Sequence, residues 1–327
     1  MTTYNNKELN FYKPKSGGKN KSDVDGFYSN SDDEHFFIKK PADKGELFTE
    51  LFAGLLLQEF KNRKLIDEIY FPSLICADVI RFEDGSYGLI QPLVSFDELH
   101  KVIGTSYRDG SDRDPTKEAF FGPSYYTGVT KMGDSFGLSI ALMFSLLLGA
   151  HSVHSGNIVV LKADENSKSR QYGRIDWGDA FRYFAHEMNN NDILFAYENR
   201  GFFNIKSLTK DYFLNYKNIN GLFPAMADKA QKILPHLNAE LLADIVSSAL
   251  KKIPADLIDK NTQNKLAGYM VMPSFKGATF GPEGASDSFA TEMGKLLERR
   301  MTSISKLQDF KSNIIPENMY ASVLFFE

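Results

Sequence analysis

A single cysteine, Cys76, stands among 327 residues. One thiol excludes an internal disulfide framework and a cysteine-rich metal site, and it fits a reducing compartment. Positive charge is also in short supply. The 38 Lys and Arg face 42 Asp and Glu, a net charge of −4, so the chain carries no polycationic footprint for nucleic acid. Long apolar runs are missing too. The longest, "FGLSIALMFSLLLGA" from Phe136 to Ala150, has 15 residues, short for a membrane span and suited to a buried helix. The start, "MTTYNNKELNFYKPK", lacks the apolar core of a secretory signal. The expectation is a soluble chain with neither signal peptide nor transmembrane helix. His35, His100, His186 and His236 have no partners at ligand spacing, so no zinc site is read, and no internal repeat is visible.

What is present is patterned. Three short strands are predicted in residues 8–41, "ELNFYKP", "DGFYSN" and "HFFIKKP", separated by the glycine-rich turn "SGGKNKSD" and the tight turn "SDDE". A helix follows in "GELFTELFAGLLLQEFKNRK". Leu47, Leu51 and Leu55, with Phe48, Phe52 and Leu56, recur at four-residue steps, and Lys61, Arg63 and Lys64 suit its C-terminal end. "SLICADVIRFEDGSYGLIQPLV" reads as a hairpin around Glu-Asp-Gly. "SFDELHKVI" reads as the start of a helix, with Ser95 and Glu98 forming a capping box.

Residues 104–127 are rich in Gly, Pro, Asp and Ser and read as a long loop; the apolar helix is expected near 129–150. "NIVVL" and "GRIDW" form a second predicted hairpin across the polar "KADENSKSRQY". After residue 187 the pattern is helical, clearest in "NAELLADIVSSALKKI" and "SFATEMGKLLERRMTSISKLQDF". The order is β-rich, then helical. It predicts an α+β fold of two lobes, a β-rich N-lobe over 1–94 and a mostly helical C-lobe over 95–327 with a helical C-terminal extension.

The chemistry concentrates in "HSVHSGNIVVL" at 151–161 and "GRIDWGDAF" at 173–181. Asn157 heads one strand and Asp176 ends its partner. A hairpin brings them together although 19 positions separate them. Asn and Asp offer hard oxygens of the kind Mg²⁺ takes, and phosphoryl transfer needs such an ion, a cation on the phosphates and a means of orienting the nucleophile. "HSGNIVV" with "IDWGDAF" resembles the catalytic and metal loops of the protein-kinase-like superfamily. "IDWGDA" is similar to the metal segment of aminoglycoside phosphotransferases and of phosphoinositide 3- and 4-kinases. His154-Ser155-Gly156-Asn157 is similar to the end of the lipid-kinase catalytic loop.

The resemblance covers roughly residues 10–190. It implies ATP and Mg²⁺ as cofactors, Asn157 and Asp176 as metal ligands, and His154 near the γ-phosphate. It places Lys39 of "FFIK" on the phosphates, with Lys40 as the alternative one register step away. Glu50 is the expected partner of that lysine, with Glu46 the alternative. Gln91 and Leu93, in "LIQPLV", fall where an interlobe linker would meet adenine, and "SGGKNKS" at 16–22 falls where a phosphate-covering loop belongs, without Gly-x-Gly-x-x-Gly spacing. Alternation puts Phe36 and Ile38 in the core and Lys39 with Phe37 in the cleft.

One departure matters. The catalytic-loop aspartate of the family falls on Ser152, and Val153 takes the place of the lipid kinases' arginine. His154 is then the candidate proton acceptor, with His151 in reserve. A nucleotide-binding pseudokinase that recruits a partner, a protein kinase and a transferase of AMP are the alternatives. Asp179 reads as structural, and Trp177 as packing. The substrate favoured by the lipid-kinase pattern is an anionic membrane phosphoinositide, met through peripheral membrane contact and without nucleic acid. Lys13, Lys15, Lys19 and Lys21, or Arg299 and Arg300, are the candidate docking residues. A bacterial effector acting in a host cytoplasm fits this reading.

Overall fold

A computed structural model describes residues 2–15, 22–104, 116, 135–162, 169–194, 213, 216 and 219–309. The "SGGKNK" part of the expected phosphate-covering turn, Lys19, Lys21 and nearly all of the 104–127 loop lie outside the described residues.

The N-terminal part is a six-stranded antiparallel sheet in the order β1-β2-β3-β4-β6-β5. Its strands are β1 (Thr2–Tyr4), β2 (Lys7–Pro14), β3 (Gly26–Ser29), β4 (His35–Lys39), β5 (Asp78–Arg81) and β6 (Tyr87–Pro92). The turn after β3 closes because the Asn30 side chain accepts the N–H groups of Asp32 and Glu34, both at 3.0 Å. One face buries Leu9, Tyr28, Phe36, Ile38, Ile80, Phe82 and Ile90. Tyr4 of β1 donates its hydroxyl to Asp78 of β5 at 3.0 Å, so the curled sheet links its own two edges.

Helix α1 (Lys44–Asn62) crosses from this sheet to the helical part. Asp43 caps it by accepting from Gly45 and Glu46 N–H at 2.6 and 3.2 Å. Gly54 is required where α1 meets the chain at residue 77, because a Cβ there would lie 2.4 Å from the Ala77 carbonyl oxygen. Lys61 ends the helix on a built partner set, the carbonyls of Phe71 and Leu74 at 3.0 and 2.7 Å.

Two expectations change here. Phe96–Glu98 is a strand, β7, and the following helix is only α2 (Leu99–Ile103), with no side-chain cap from Glu98. Pairing of β7 with β9 (Ile158–Leu161) takes the backbone groups that a capping box at Ser95 would have used. The apolar helix α3 spans Leu138–Leu147 and is buried on every side, starting well after the expected residue 129. The second sheet is larger than a hairpin. Its order is β7-β9-β10-β8, with β10 (Arg170–Arg174) antiparallel to β9 and parallel to β8 (Ser135–Phe136).

The remainder is helical: α4 (Glu187–Asn191), α5 (Leu222–Ile233), α6 (Ala239–Lys251), α7 (Lys260–Met270) and α8 (Asp287–Ser305). The chain is therefore α+β, with a β-rich N-terminal region and a helical C-terminal part. These helices close over α1. Phe48 packs on Phe275 and Phe280 with ring centroids 5.1 and 5.6 Å apart, and Phe52 lies 6.2 Å from Phe289. Lys252 pairs with Glu59 at 2.5 Å and Arg63 with Asp244 at 2.6 Å. Among the described residues no helix is long and apolar enough to cross a membrane.

Candidate active site

The pleat of β4 decides which lysine enters the cleft. Phe36 and Ile38 point into the sheet core, so Phe37 and Lys39 point the other way. Lys39 Nζ lies 2.5 Å from Glu50 Oε2 on α1 and 3.9 Å from Asp176 Oδ1. Burial works against the Lys39 charge, but Glu50 and Asp176 outweigh it and raise its pKa. Burial pushes the Glu50 carboxyl up to about 7, against the downward pull of Lys39. Lys40 faces away: its ammonium reaches Asp84 at 3.4 Å and covers the Phe82 ring. The structure thus brings Lys39 and Glu50 together and leaves Lys40 outside the cleft.

Asp176 and Asn157 meet because Ile175 N–H donates to the Asn157 carbonyl at 3.0 Å, extending the β9–β10 ladder past its last pair. Asp176 has φ +62, left-handed backbone that is uncommon outside glycine and that aspartate tolerates best when its surroundings hold it. They do. Gly178 N–H donates to Asp176 Oδ1 at 3.3 Å, and Thr49 of α1 donates to the Gly178 carbonyl at 2.7 Å. A Cβ on Gly178 would press on Glu46 at 3.1 Å, so glycine lets this loop lie against α1. Burial raises the Asp176 pKa, but Lys39, the Gly178 N–H, Arg174 and His154 prevail and hold it below the ordinary aspartate range. Asn157 turns its Nδ2 to the Ser152 carbonyl at 3.1 Å and to the Ser152 hydroxyl at 3.3 Å.

Asp179, read from the sequence as structural, and Arg174, not singled out there, fix both loops. Arg174 is fully buried, donates to Ser145 Oγ and the Ala150 carbonyl at 2.8 and 2.9 Å, and stacks on Trp177. Asp179 accepts the Ser152 N–H at 2.9 Å and pairs with Arg174 at 3.4 Å. A charge inside an apolar strand, the Arg of "GRIDW", was the signal available in the sequence. Trp177 is packing: buried, it donates to the Ile75 carbonyl at 2.8 Å.

His154 is buried on the loop before Asn157, near enough to Asp176 to act on its charge. Its Nδ1 accepts the Gly156 N–H at 3.1 Å, so a neutral ring carries its proton on Nε2 and cannot accept one there. His151 is buried against Phe213, and burial, with Arg300 and Arg174 nearby, drives its pKa down to about 3, too weak for a base at neutral pH. Arg300 is no docking residue either. It is buried, donating to the carbonyls of Leu146, Leu147 and Asn189 and to the Asn190 side chain. Arg299 binds Asn191 at 2.9 Å on the surface.

The cleft has two chambers that share Asp176. One, of about 610 Å³, is lined by Lys39, Glu50, Phe27, Phe37, Gln91 and Leu93 among others. Leu93 N–H is given to the His35 carbonyl at 2.9 Å, which leaves the Leu93 carbonyl as its backbone group for a ligand in the chamber. The second, of about 770 Å³, is lined by Ser152, Asn157, Asp179, Arg182, Lys265 and Tyr269 among others.

The LepB N-terminal domain family matches residues 87–309. The chain belongs to that family. This LepB-type domain is 54% identical to the crystallised N-terminal 618-residue fragment of LepB from Legionella pneumophila, with a TM-score of 0.65. The likeness covers 85% of this chain and 46% of that fragment, so the chain spans less than half of its relative. A fainter likeness, at 12% identity and a TM-score of 0.44, covers 93% of the chain and 95% of CtkA, a proinflammatory kinase of Helicobacter pylori, and is too slight to carry a functional argument. No curated protein sequence gives a significant match.

Proposed function

We propose that this domain is an ATP- and Mg²⁺-dependent kinase of protein-kinase-like fold, and that its acceptor is a membrane phosphoinositide. The observation that carries the proposal is the Lys39–Glu50 ion pair at 2.5 Å, with Asp176 a further 3.9 Å from the same ammonium. A lysine fixed by a buried glutamate and aimed at an aspartate is what phosphate positioning requires.

The donor set fits magnesium. Asp176 supplies a carboxylate held ionised and Asn157 an amide oxygen, and Mg²⁺ takes one or two such ligands with substrate phosphates completing its shell. Magnesium held by Asp176 and Asn157 would supply positive charge to offset that developing on the phosphates during transfer. In this reading Lys39 orients the phosphates, Glu50 orients Lys39, and Asp179 with Arg174 keeps the 151–157 loop in register with Asp176. Ser152 leaves the catalytic-loop position without a carboxylate, so transfer rests on positioning and electrostatics.

The lipid acceptor is supported by the second chamber. Lys44, Arg182 and Lys265 line it beyond Asp176, and a phosphate-bearing headgroup suits them. Delivery as a bacterial effector to a host membrane surface belongs to the same proposal. Radiolabelled ATP offered to phosphoinositide vesicles, generic proteins and aminoglycosides tests it. Labelled lipid with wild-type protein, and none with Asp176→Ala, is expected. Labelled protein alone would overturn the lipid reading, and bound nucleotide without turnover on any acceptor would leave a pseudokinase.

A further inference from the structure

Lys13 stands on β2 and Lys15 just after it, where they could serve a membrane surface or the cleft beneath. The strand register decides between these. A bulge between Phe11 and Lys13 shifts β2 by one residue against β3. Lys13 then falls opposite Phe27, Phe27 opposite Phe37, and Phe37 opposite Gln91. These four residues form one cross-strand row, and all four line the 610 Å³ chamber. Without the bulge, Tyr12 would occupy the row and Lys13 would point to the opposite face.

Lys15 follows two residues on, facing the same way. Its ammonium lies 5.9 Å from the centre of the Phe37 ring, as that of Lys13 lies 5.7 Å from the Phe27 ring. Lys15 N–H donates to the Asp25 carbonyl at 3.0 Å, which fixes its backbone above the cavity. Lys39 is two residues beyond Phe37 on the same pleat, so Lys15 lies towards the Lys39 and Asp176 end of the chamber. The field agrees: burial leads in raising the Glu46 carboxyl, and Lys15 and Lys39 both pull it down.

We infer that Lys15, with Lys13 beside it, is a second cationic clamp on the phosphate chain of the nucleotide, and not part of a membrane-docking patch. The inference rests on the nucleotide reading of the cleft. Lys39 is engaged with Glu50, and a triphosphate presents more charge than one shared lysine offsets. The aromatic pair Phe27–Phe37, with centroids 5.5 Å apart, sits under the two ammonium groups on the wall of the cavity.

The test measures binding of MgATP and of adenosine to wild type, Lys15→Ala, Lys15→Arg and the Lys13→Ala/Lys15→Ala double variant, with sedimentation on phosphatidylserine–phosphoinositide vesicles in parallel. Lys15→Ala should weaken MgATP about tenfold or more, the double variant further, and Lys15→Arg little. Adenosine affinity and vesicle sedimentation should stay at wild-type levels, the adenosine arm also reporting an intact fold. Alanine variants that bind MgATP as wild type does, or that lose vesicle binding instead, overturn the inference. A wild-type protein that binds neither MgATP nor adenosine removes the nucleotide reading and the inference with it.

Discussion

Thr49 and Gly178, 129 positions apart, share a hydrogen bond of 2.7 Å that fastens α1 to the loop carrying Asp176. The Thr49 hydroxyl is buried, so Thr49→Val would leave the Gly178 carbonyl without this donor while keeping shape. A loss of about 1–3 kcal/mol is expected in denaturant titration, with slower phosphate transfer as Asp176 loosens. Unchanged stability and rate together would show that the two elements are coupled through other contacts.

Asp176→Ala should lower transfer by on the order of 10² or more while the melting temperature holds within a few degrees. The side chain is half exposed to the cleft, so its removal opens no buried cavity. Thermal melts with and without MgATP give the readout: the nucleotide should stabilise wild type by mass action and the variant less. Full turnover in the variant would dismiss Asp176 as a ligand.

His151 sets an acid limit on stability. Its folded pKa, about 3, lies below that of the unfolded chain, so the unfolded state binds more protons between those values. The contribution of the neutral ring is complete above the ordinary histidine pKa and is lost as the pH falls towards 3. His151→Phe should flatten this slope of melting temperature against pH by up to one proton. An identical slope in the variant would mean that other groups carry the acid dependence.

Arg299 and Arg300 are neighbours in sequence with opposite fates. Arg300→Ala removes the donor to three backbone carbonyls in a buried site, and about 3–5 kcal/mol of destabilisation is expected. Arg299→Ala should stay within about 0.5 kcal/mol. Equal effects in urea titrations would contradict the burial of Arg300.

Much of this arrangement could be read from the chain. "HFFIK" alternates strictly, so the pleat alone places Lys39 with Phe37, and the hairpin places Asn157 by Asp176. Those are local rules of period and pairing. The failures are non-local. Nothing in "SFDELHKVI" shows that β9 takes its first residues into a sheet. "ERRM" looks like a solvated charge pair until α3 ends beside it with carbonyls to satisfy. The cleft role of Lys13 depends on a one-residue bulge that composition does not announce.

The aromatic clamp on α1 has a consequence for control. Swinging this helix outward would separate Glu50 from Lys39, but it would also bare Phe48 and Phe52, at about 1.5–3 kcal/mol each before any other residue is counted. Such a state would hold less than about one molecule in a hundred. The Lys39–Glu50 pair is therefore held by the same packing that buries Phe48 and Phe52, and parting it by moving α1 carries that cost.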